Sequence, residues 1–368
     1  MDTHAFDIVI IGAGIAGATA AAALSPTHKV ALVEAEEVAG FHSTGRSAAI
    51  WILNYGPPDV HLLTGASRDF FEHPPTGFTE TPLLHHRPVL YLAPEDQLAQ
   101  FEAFMAIAEK VCAVSEAQAR ALVPALRPGY VVRAALEDDA FDIDVAAVHQ
   151  GYLRQLRAAG GVLALRSRAG RIERRDGEWH VETASGASFH APVIVNAAGA
   201  WGDVVAELAG VTPLGLTPCR RTAAIIDPTP YEAEHWPMVM DVAHTWYARP
   251  EARTRLMVTP ADQTPSFPHD IQPDEIDIAI GIDRMQQAMD IVVRRVEHAW
   301  AGLRTFTTDG SLAFGWDRAS PGFFWNVGQG GYGIQTSPAA GRLVADLIAG
   351  RDPGPAAAIL GAIDPARF

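Results

Sequence analysis

Two short apolar runs near the start of the chain flank an alanine-rich stretch. Ile8–Ile11 and Val30–Val33 have the length and the β-branched content of buried strands, and residues 18–24 have the alanine content of a helix. Residues 12–17 read Gly-Ala-Gly-Ile-Ala-Gly, and Glu34 follows the second run. The order strand, glycine turn, helix, strand and acid is typical of a βαβ unit that binds a dinucleotide.

The three glycines of this turn have separate roles in such a unit. Gly12 permits the tight turn, Gly14 lets the backbone approach a pyrophosphate, and Gly17 lets the helix pack closely on the sheet. The pyrophosphate meets free N–H groups at the helix N-terminus, and Glu34 can accept hydrogen bonds from a ribose. NAD, NADP and FAD all use this motif, so the turn alone does not identify the dinucleotide.

The remaining pattern predicts further elements along the whole chain. We predict helices at 59–71, 94–111, 115–122, 144–159 and 275–289, and one that begins near Ser337. We predict strands at 162–165, 193–195, 222–226, 245–249, 256–259 and 323–327, a hairpin over 171–191 and a loop over 41–58. Segments of the nucleotide-binding type therefore occur at the start, the middle and the end of the chain. A single contiguous dehydrogenase domain of the NAD type does not fit this interleaving.

The composition limits the classes of partner and compartment. The 368 residues carry 28 Lys and Arg against 43 Asp and Glu, a net charge of −15, which argues against binding to nucleic acid. Cys112 and Cys219, the two cysteines, form neither a metal pattern nor a disulfide framework. No signal peptide or transmembrane segment is apparent. We therefore expect a cytoplasmic protein without a metal ion, long enough for two domains.

Three further motifs extend the nucleotide-binding pattern. They are Val-Asn-Ala-Ala-Gly-Ala-Trp at 195–201, Trp-Ala-Gly-Leu-Arg at 300–304 and Gly-Gln-Gly-Gly-Tyr-Gly-Ile-Gln at 328–335. In this order they resemble the D-amino acid oxidase/glycine oxidase superfamily of FAD-dependent oxidoreductases. The first resembles its second nucleotide-contacting turn, the second its carboxylate-binding strand, and the third its glycine loop along the flavin. Stretches 42–49, 82–84, 149–154 and 330–336 are most similar to the bacterial D-arginine dehydrogenases, and the resemblance runs from about residue 5 to 350.

The resemblance implies an α/β (α+β) fold with two domains. A Rossmann-like FAD-binding domain of the glutathione reductase type comprises 1–80, 140–215 and 305–368, and a substrate domain with an antiparallel sheet comprises 81–139 and 216–304. FAD is expected to bind non-covalently, although Cys219 could in principle attach a flavin. The cofactor residues that the glycine turn and the resemblance imply are Gly12, Gly14, Ile15, Ala16, Gly17, Glu34, Ala35, Ser43, Thr44, Arg46, Ser47, Ala48, Ala198, Gly199, Trp201, Gly330, Gly331, Tyr332, Gly333, Ile334, Gln335 and Thr336.

Candidate substrate residues include two arginines. Arg304 follows an apolar run, and arginine is the side chain that grips a carboxylate with two hydrogen bonds. Arg220 and Arg221 begin a predicted strand, so only one of them can face the site. The resemblance selects Arg221. It also matches Tyr55 and Tyr247 to tyrosines that bind the carboxylate, and Gln335 with the Gly331 carbonyl to positions near the substrate amine.

The sequence departs from the D-arginine dehydrogenase pattern where the substrate side chain would lie. In that family an acid follows Arg-Pro and pairs with the substrate guanidinium, whereas here Val89 follows Arg87-Pro88. The lid loop carries Ile50 and Ile52, and by the same resemblance Met238 and Met240 face that loop. A cationic side chain would lose its partner there, and an apolar one would gain from burial. We therefore expect an FAD-dependent dehydrogenase that oxidises neutral, apolar D-amino acids to imino acids by hydride transfer from Cα to flavin N5.

Several alternatives remain at the level of sequence. The same flavin chemistry could act on glycine, on a secondary amine such as sarcosine or proline, or on a 2-hydroxy acid. An NAD-dependent dehydrogenase and a non-catalytic flavin-binding protein are the other classes. The electron acceptor, whether oxygen, a quinone or another carrier, is not encoded in a motif. The dehydrogenase activity and the D configuration of the substrate are both favoured by resemblance alone. Hydride transfer from a neutral amine requires no general base, and His42 and His244 are expected to be structural.

Overall fold

The computed structural model describes residues 3–368, in which strands and helices alternate along the chain. The strands are β1 (Thr3–Ala5), β2 (Ile8–Ile11), β3 (Val30–Val33), β4 (Ile50–Trp51), β5 (Leu84–His86), β6 (Val89–Ala93), β7 (Val111–Val114), β8 (Arg133–Glu137), β9 (Phe141–Ile143), β10 (Val162–Ala164), β11 (Ala169–Arg175), β12 (Glu178–Thr183), β13 (Ser188–Ala191), β14 (Val193–Asn196), β15 (Thr217–Ile226), β16 (Met238–Asp241), β17 (Tyr247–Glu251), β18 (Arg255–Thr259), β19 (Thr264–Pro265), β20 (Val296–Phe306), β21 (Ala313–Trp316) and β22 (Phe323–Val327). The α-helices are α1 (Ile15–Leu24), α2 (Pro58–Glu72), α3 (Leu98–Ile107), α4 (Glu116–Leu122), α5 (Val145–Ala158), α6 (Gly202–Leu208), α7 (Glu275–Ala288), α8 (Ser337–Ile348) and α9 (Leu360–Ile363). Over this described range, no helix combines the length and the apolar composition needed to cross a bilayer.

A six-stranded sheet carries the N-terminal glycine turn. Its strand order is β10-β3-β2-β14-β22-β21, and the strands are parallel except for β21. Every residue of β2 and β3 is buried, because both faces of the sheet are covered. Helices α1, α5 and α8 pack on one face. The four-stranded sheet β1-β13-β12-β11 covers the other and contributes Trp179 and Phe189 to the core.

A nine-stranded, mainly antiparallel sheet forms the other half of the fold. Its order is β19-β15-β18-β17-β16-β6-β8-β7, and β20 pairs with β15. Side chains alternate between its two faces, as the strand period requires. Leu90 and Leu92 of β6 pack with residues of α4 and α7. Val89 and Tyr91 of the same strand face a separate cluster that includes Tyr247. This second face is turned towards the candidate site.

The predicted mixed α/β fold is confirmed, with local differences in the elements. The helix predicted over 94–111 ends at Ile107, and β7 follows it as an edge strand. The loop predicted over 41–58 contains the two-residue strand β4. The last helix begins at Ser337 as predicted, with Thr336 as its N-cap residue. Arg304 lies near the end of β20, which is longer than the motif around it indicated.

The segments that form each large sheet bear on the predicted domain ranges. Strands of the six-stranded sheet fall within 1–80, 140–215 and 305–368, and those of the nine-stranded sheet fall within 81–139 and 216–306. A small sheet, β4-β9-β5, joins strands from both sets of ranges. The division into an FAD-binding and a substrate domain stays a prediction.

Candidate active site

A cavity of about 420 Å³ lies where several strands of the six-stranded sheet end. The residues that follow β2, β3 and β14, namely Gly12, Glu34 and Ala197, all line it. The carboxyl ends of parallel strands are the usual location of ligands in such sheets. On its far side the cavity is closed by Arg304 of β20 and Arg221 of β15. It therefore extends from the glycine turn to the nine-stranded sheet.

The glycine turn is shaped by close backbone contacts. Gly12 has a φ of +101°, and a Cβ there would lie 2.5 Å from the Ala197 carbonyl oxygen. A Cβ at Gly17 would lie 1.8 Å from the Gly12 carbonyl oxygen, so α1 packs against the turn only because residue 17 is glycine. Gly14 lines the cavity, and a Cβ there would meet Thr44 Oγ1 at 3.2 Å.

Glu34 and Thr44 fix the turn from outside. The Glu34 carboxylate accepts hydrogen bonds from the backbone N–H of Ala13 (2.8 Å) and Glu36 (3.0 Å). Thr44 Oγ1 accepts one from the Ile15 N–H (3.0 Å) at the start of α1. Each carboxylate oxygen of Glu34 keeps capacity for a further donor, such as a ribose hydroxyl.

The loop at 43–48 runs along the cavity wall and is held by the nine-stranded sheet. Ser43 Oγ donates to the Leu303 carbonyl (2.5 Å), and Trp300 Nε1 donates to the Arg46 carbonyl (3.0 Å). The Arg46 guanidinium donates to the carbonyls of Ala301 (2.9 Å) and Ile271 (3.1 Å) and pairs with the Asp270 carboxylate. Arg46 thus tethers this loop and the segment that contains Asp270 and Ile271 to β20.

The structure brings most of the predicted cofactor residues to this one cavity. Those that line it are Gly12, Gly14, Ile15, Ala16, Glu34, Ala35, Ser43, Thr44, Arg46, Ser47, Ala48, Ala198, Gly199, Trp201, Gly330, Gly331, Gly333 and Ile334. Gly17, Tyr332, Gln335 and Thr336 do not line it. Gly17 packs against the turn, and Thr336 is fully buried, its hydroxyl donating to the Tyr332 carbonyl.

Arg304 lines the cavity and contacts Tyr55, which is not itself among the lining residues. Arg304 Nη1 donates a 2.9 Å hydrogen bond to the Tyr55 hydroxyl. Gly331 allows this arrangement, because a Cβ there would lie 2.7 Å from Arg304 Nη1 and 2.8 Å from its Cζ. Within residues 3–368, no carboxylate oxygen lies within 4.0 Å of the Arg304 guanidinium. Its positive charge is therefore available to an anionic ligand.

Arg221 supplies a second guanidinium beside the first. Its side chain is 10% exposed, and its Nε donates to the Asp262 carbonyl at 2.7 Å, with the Asp262 carboxylate 4.0 Å away. Burial and the nearby Arg304 charge both lower the pKa of Arg221. Arg220 points the other way and pairs with Asp277 of α7 at 2.7 Å. The strand alternation that was predicted for these two arginines is present.

The two guanidiniums control the ionisation of Tyr55. Burial raises the pKa of the Tyr55 phenol, but the charges of Arg304 and Arg221 outweigh it, and the pKa lies below its ordinary value. Tyr332, which makes an edge contact with Tyr55 at 5.2 Å between ring centroids, responds differently. Burial raises the pKa of Tyr332 to about 12. Of the two tyrosines, only Tyr55 is hydrogen-bonded to a guanidinium, which accounts for the opposite directions of their pKa shifts.

Tyr247 completes the polar end of the site. Tyr247, Ala223 and Trp300 line the cavity beside Arg221. Behind Tyr247 lies an apolar wall, which we define as Ile50, Ile52, Val89, Met238 and Met240. Four of these side chains are 0–4% exposed and Ile50 is partly buried, and none of the five lines the cavity. The five side chains pack together away from the cavity lining, and their role as a substrate side-chain pocket stays a prediction.

The position of Gln335 differs from its predicted one near a substrate amine. Its side chain is 3% exposed, and Nε2 donates to Thr64 Oγ1 (2.9 Å) and to the Tyr55 carbonyl (3.5 Å). Its Oε1 accepts from the Ile52 N–H (3.5 Å). Gln335 therefore braces the loop that carries Tyr55 from beneath.

Sequence reasoning missed a buried acid next to this loop. Glu137 of β8 is 1% exposed and accepts hydrogen bonds from the Leu53 N–H (3.0 Å) and the Tyr91 hydroxyl (2.8 Å). No local motif surrounds Glu137, and its partners lie 46 and 84 positions away in the sequence. His244 was expected to be structural; its ring lies 5.9 Å from the Tyr55 ring, and burial lowers its pKa.

The comparison with known families agrees with this geometry. The model of the FAD-dependent oxidoreductase family (DAO) matches residues 7–347, which include the glycine turn, both arginines and the last glycine loop. The chain belongs to this family. It is therefore an FAD-dependent oxidoreductase, and the cofactor that its cavity takes is FAD.

Individual relatives are distant in sequence and close in fold. FAD-dependent oxidoreductase domain-containing protein 1 of Bos taurus is 24% identical over 405 residues, covering 93% of this chain and 81% of the relative. L-proline dehydrogenase from P. horikoshii superposes with a TM-score of 0.85 at 20% identity, covering 100% of this chain and 98% of that one. Glycine oxidase from Geobacillus kaustophilus superposes with a TM-score of 0.84 at 20% identity, covering 99% of both chains. These similarities establish a shared fold.

The cavity of this FAD-dependent oxidoreductase fits its cofactor. Three turns from separate parts of the chain, 12–16, 197–201 and 329–334, line the same space. Glu34 stands at one end, where a ribose hydroxyl can be bound. Cys219, the cysteine that could attach a flavin, is not among the lining residues. The glycine turns of this lining offer backbone N–H groups of the kind that bind a pyrophosphate without a covalent link.

Proposed function

We propose that this FAD-dependent oxidoreductase is a dehydrogenase of neutral, apolar D-amino acids. The observation that carries the proposal is the pair of guanidiniums at the end of the cavity, Arg304 and Arg221. Arg304 has a phenol and no carboxylate as its close partner among the described residues. Two cations side by side in a partly buried site favour the binding of an anion. A substrate carboxylate is the anion whose geometry matches a guanidinium.

Each side chain has a defined part in holding such a substrate. Arg304 and the Tyr55 hydroxyl would bind the carboxylate, and Arg221 would balance its charge. Tyr247 and Trp300, on the nine-stranded sheet, would limit the access of water to the reacting Cα. A fixed carboxylate orients the Cα–H bond, and orientation is a large part of the catalysis in such reactions.

When bound, FAD supplies a two-electron acceptor for the hydride that leaves Cα as the amine becomes an imine. The nitrogen lone pair forms the new C=N bond, so the amine must reach the site in its neutral form, and the product is the protonated imine (iminium). Water then adds to the released iminium and ammonium leaves, which gives the 2-oxo acid. No side chain needs to act as a base in this step, because the amine nitrogen is already neutral when the hydride leaves.

The apolar wall supports the preference for neutral side chains. Val89 and Met240 are fully buried behind Tyr247, and they offer no charge to a cationic substrate. Glu137, which pairs with Val89 in the β6–β8 register, is a buried acid, but it does not line the cavity, and its oxygens accept hydrogen bonds from Leu53, Asn54 and Tyr91. A guanidinium placed here would be desolvated without a partner, at a cost of about 3 kcal/mol or more.

A second candidate substrate is a small or N-substituted amino acid, such as glycine, sarcosine or proline. One observation favours it: the apolar wall does not line the cavity, and beside Arg221 the other β15 residue in the lining is the small Ala223. A substrate without a bulky side chain needs no movement of the wall. The structural neighbours named as L-proline dehydrogenase and glycine oxidase share the fold.

Anaerobic mixing with an amino acid panel tests both candidates. The purified yellow protein is mixed with D- and L-amino acids, glycine, sarcosine and proline, and flavin absorbance is followed. We expect the fastest bleaching with D-Leu, D-Met or D-Phe and little with D-Arg or D-Lys. A higher kcat/KM for D-Arg than for these three would overturn the proposal, and bleaching by glycine or proline alone would establish the second candidate. Oxygen consumption, compared with reduction of a quinone, identifies the electron acceptor.

A further inference from the structure

We propose that Glu137 is a positioning residue that holds Tyr55 against Arg304 and so sets the affinity for the substrate carboxylate. This inference rests on the proposed function, because it concerns how the same site binds a carboxylate. Glu137 itself lies outside the cavity lining, so it acts through the loop that carries Tyr55.

The loop between β4 and α2 presents consecutive N–H groups to one carboxylate. Glu137 Oε1 accepts hydrogen bonds from the N–H of Leu53 (3.0 Å) and of Asn54 (3.5 Å). Glu137 Oε2 accepts one from the Tyr91 hydroxyl (2.8 Å). Successive backbone N–H groups that converge in this way form an anion-binding concavity. Tyr55 is the next residue along the chain, so its placement follows from this grip.

A carboxylate is an unusual group to bury at this position. Glu137 is 1% exposed, and none of the salt bridges within the described chain involves it. Burial raises the pKa of Glu137, and the hydrogen bonds from the loop and from Tyr91 partly offset this. An apolar residue would pack in the same space at no desolvation cost, but it would leave the Leu53 and Asn54 N–H groups without an acceptor. The need for an acceptor for these two N–H groups therefore explains why an acid is buried at position 137.

The grip joins the two large sheets at the site. Glu137 belongs to the nine-stranded sheet, and the loop it binds leads into α2, which packs in the core beside the six-stranded sheet. On the other side of the loop, Gln335 accepts from the Ile52 N–H. Release of the loop by Glu137 would free the Tyr55 hydroxyl from Arg304 Nη1, now 2.9 Å apart. The carboxylate of the substrate would then lose one of its two donors.

The test compares Glu137→Leu with Glu137→Gln in the FAD-loaded enzyme. Leu fills the space but accepts no hydrogen bond, whereas Gln keeps one oxygen for the loop. Benzoate serves as a carboxylate probe that cannot be oxidised, and its Kd is measured by calorimetry alongside KM and kcat. We expect Glu137→Leu to raise the Kd for benzoate and the KM about tenfold with little change in kcat, and Glu137→Gln to restore both to within about threefold.

Two further variants separate positioning from general damage. In a Tyr55→Phe background, Glu137→Leu should change the Kd less than twofold, because its target is gone. Asp317→Leu is the matched control: Asp317 also accepts from two backbone N–H groups, those of Ala319 and Ser320, and from an aromatic donor, Trp325 Nε1. It should lose stability and keep the wild-type Kd. If Glu137→Leu does not fold, Tyr91→Phe, which removes one donor to Glu137, is expected to raise the Kd in the same direction.

The outcomes distinguish this inference from the proposed function. Wild-type protein that fails to bind benzoate and is not reduced by any amino acid would overturn the proposed function and this inference with it. Wild-type binding that Glu137→Leu or Tyr91→Phe leaves unchanged would overturn the inference alone. An effect of Glu137→Leu that persists in full without the Tyr55 hydroxyl would also overturn it.

Discussion

The hydroxyl of Tyr55 accepts a 2.9 Å hydrogen bond from Nη1 of Arg304, although the two residues are 249 positions apart. Tyr55 comes from the loop before α2, and Arg304 lies near the C-terminal end of the longest strand, β20. The contact joins the two halves of the fold at the end of the FAD cavity. It leaves other guanidinium N–H groups of Arg304 to bind a ligand.

Replacing Arg304 by methionine tests directly whether this residue binds the substrate carboxylate. We expect Arg304→Met to lower kcat/KM for D-amino acids by about 3 kcal/mol, on the order of a hundredfold, because a buried charge pair with the substrate is lost. FAD should remain bound, since the glycine turn is untouched. Steady-state kinetics and the flavin spectrum of the purified variant measure both quantities.

A matched variant strengthens this test. Arg220→Met removes the neighbouring arginine that pairs with Asp277 on the outer face of β15. It should leave KM for D-amino acids close to the wild-type value. Unchanged kinetics in Arg304→Met would remove Arg304 from the site.

Tyr55 should give the enzyme an alkaline limit. The pKa of Tyr55 lies below its ordinary value of 10.0 because Arg304 and Arg221 outweigh the effect of burial. Above that pKa the phenolate neutralises part of the positive charge and no longer donates to a carboxylate. We therefore expect kcat/KM to fall as the pH rises through the pKa of Tyr55, and the fall to be absent in Tyr55→Phe.

The neighbouring tyrosine is the control for this pH profile. Burial raises the pKa of Tyr332 to about 12, so its ionisation lies above the range of the assay. Tyr332→Phe should therefore keep the alkaline fall at the wild-type pH. If Tyr332→Phe removes the alkaline fall in kcat/KM, the fall arises from Tyr332 and not from Tyr55. That result would contradict the electrostatic argument.

The parts of the site that local sequence encodes were predictable. The glycine turn follows strand β2 directly and leads into helix α1 at Ile15, and a close backbone contact at Gly12 explains why that pattern is specific. The alternation of Arg220 and Arg221 follows from strand geometry and needs no tertiary information.

The parts that depend on contacts distant in sequence were not predictable. Glu137 grips a loop 84 positions away, and nothing near it in sequence marks it as more than a strand acid. Gln335 ends the glycine motif in sequence, yet the turn that precedes α8 places its side chain beneath Tyr55. The apolar wall was identified by resemblance, but its separation from the cavity depends on how closely β6, β16 and β17 pack.

Gly331 should be as sensitive as the arginine beside it. A Cβ at this position would lie 2.7 Å from Arg304 Nη1, so Gly331→Ala must displace the guanidinium. Displacements of about 1 Å in a catalytic site can reduce activity on the order of a hundredfold, and we expect kcat/KM to fall by a similar factor. Kinetics with D-Leu and D-Met measure it.

Gly65→Ala provides a comparison that adds the same methyl group elsewhere. A Cβ at Gly65, in α2, would meet Leu53 Cδ1 at 3.8 Å, an ordinary contact. This variant should keep wild-type kinetics. Equal activity in Gly331→Ala and wild type would show that Arg304 does not need its present position.

Glu34 should affect cofactor affinity without affecting the substrate. Its carboxylate holds the Ala13 N–H of the glycine turn and can also accept from a ribose hydroxyl. Removing it in Glu34→Ala costs both contacts, and we expect the affinity for FAD to fall by about 2 kcal/mol, roughly thirtyfold. Titration of the apoprotein with FAD, followed by flavin fluorescence, measures the change. Glu37→Ala is the control, because it removes an exposed acid that pairs with Arg166, and it should bind FAD as the wild type does. A similar loss of FAD affinity in both variants would point to net charge as the cause.

The apolar wall can be tested by making room within it. Met240 is 2% exposed and pairs with Tyr247 in the β16–β17 register, so Met240→Ala opens space directly behind the cavity. If the substrate carries an apolar side chain, kcat/KM for D-Phe should rise relative to D-Ala.

Met285→Ala is the matched control, because Met285 is equally buried but packs on the opposite face of the same sheet. Both variants should lose about 2–4 kcal/mol of unfolding free energy, measured by chemical denaturation, while only Met240→Ala changes the substrate ratio. A ratio that is unchanged in Met240→Ala would favour glycine or a secondary amine as the substrate, because such molecules do not reach the wall.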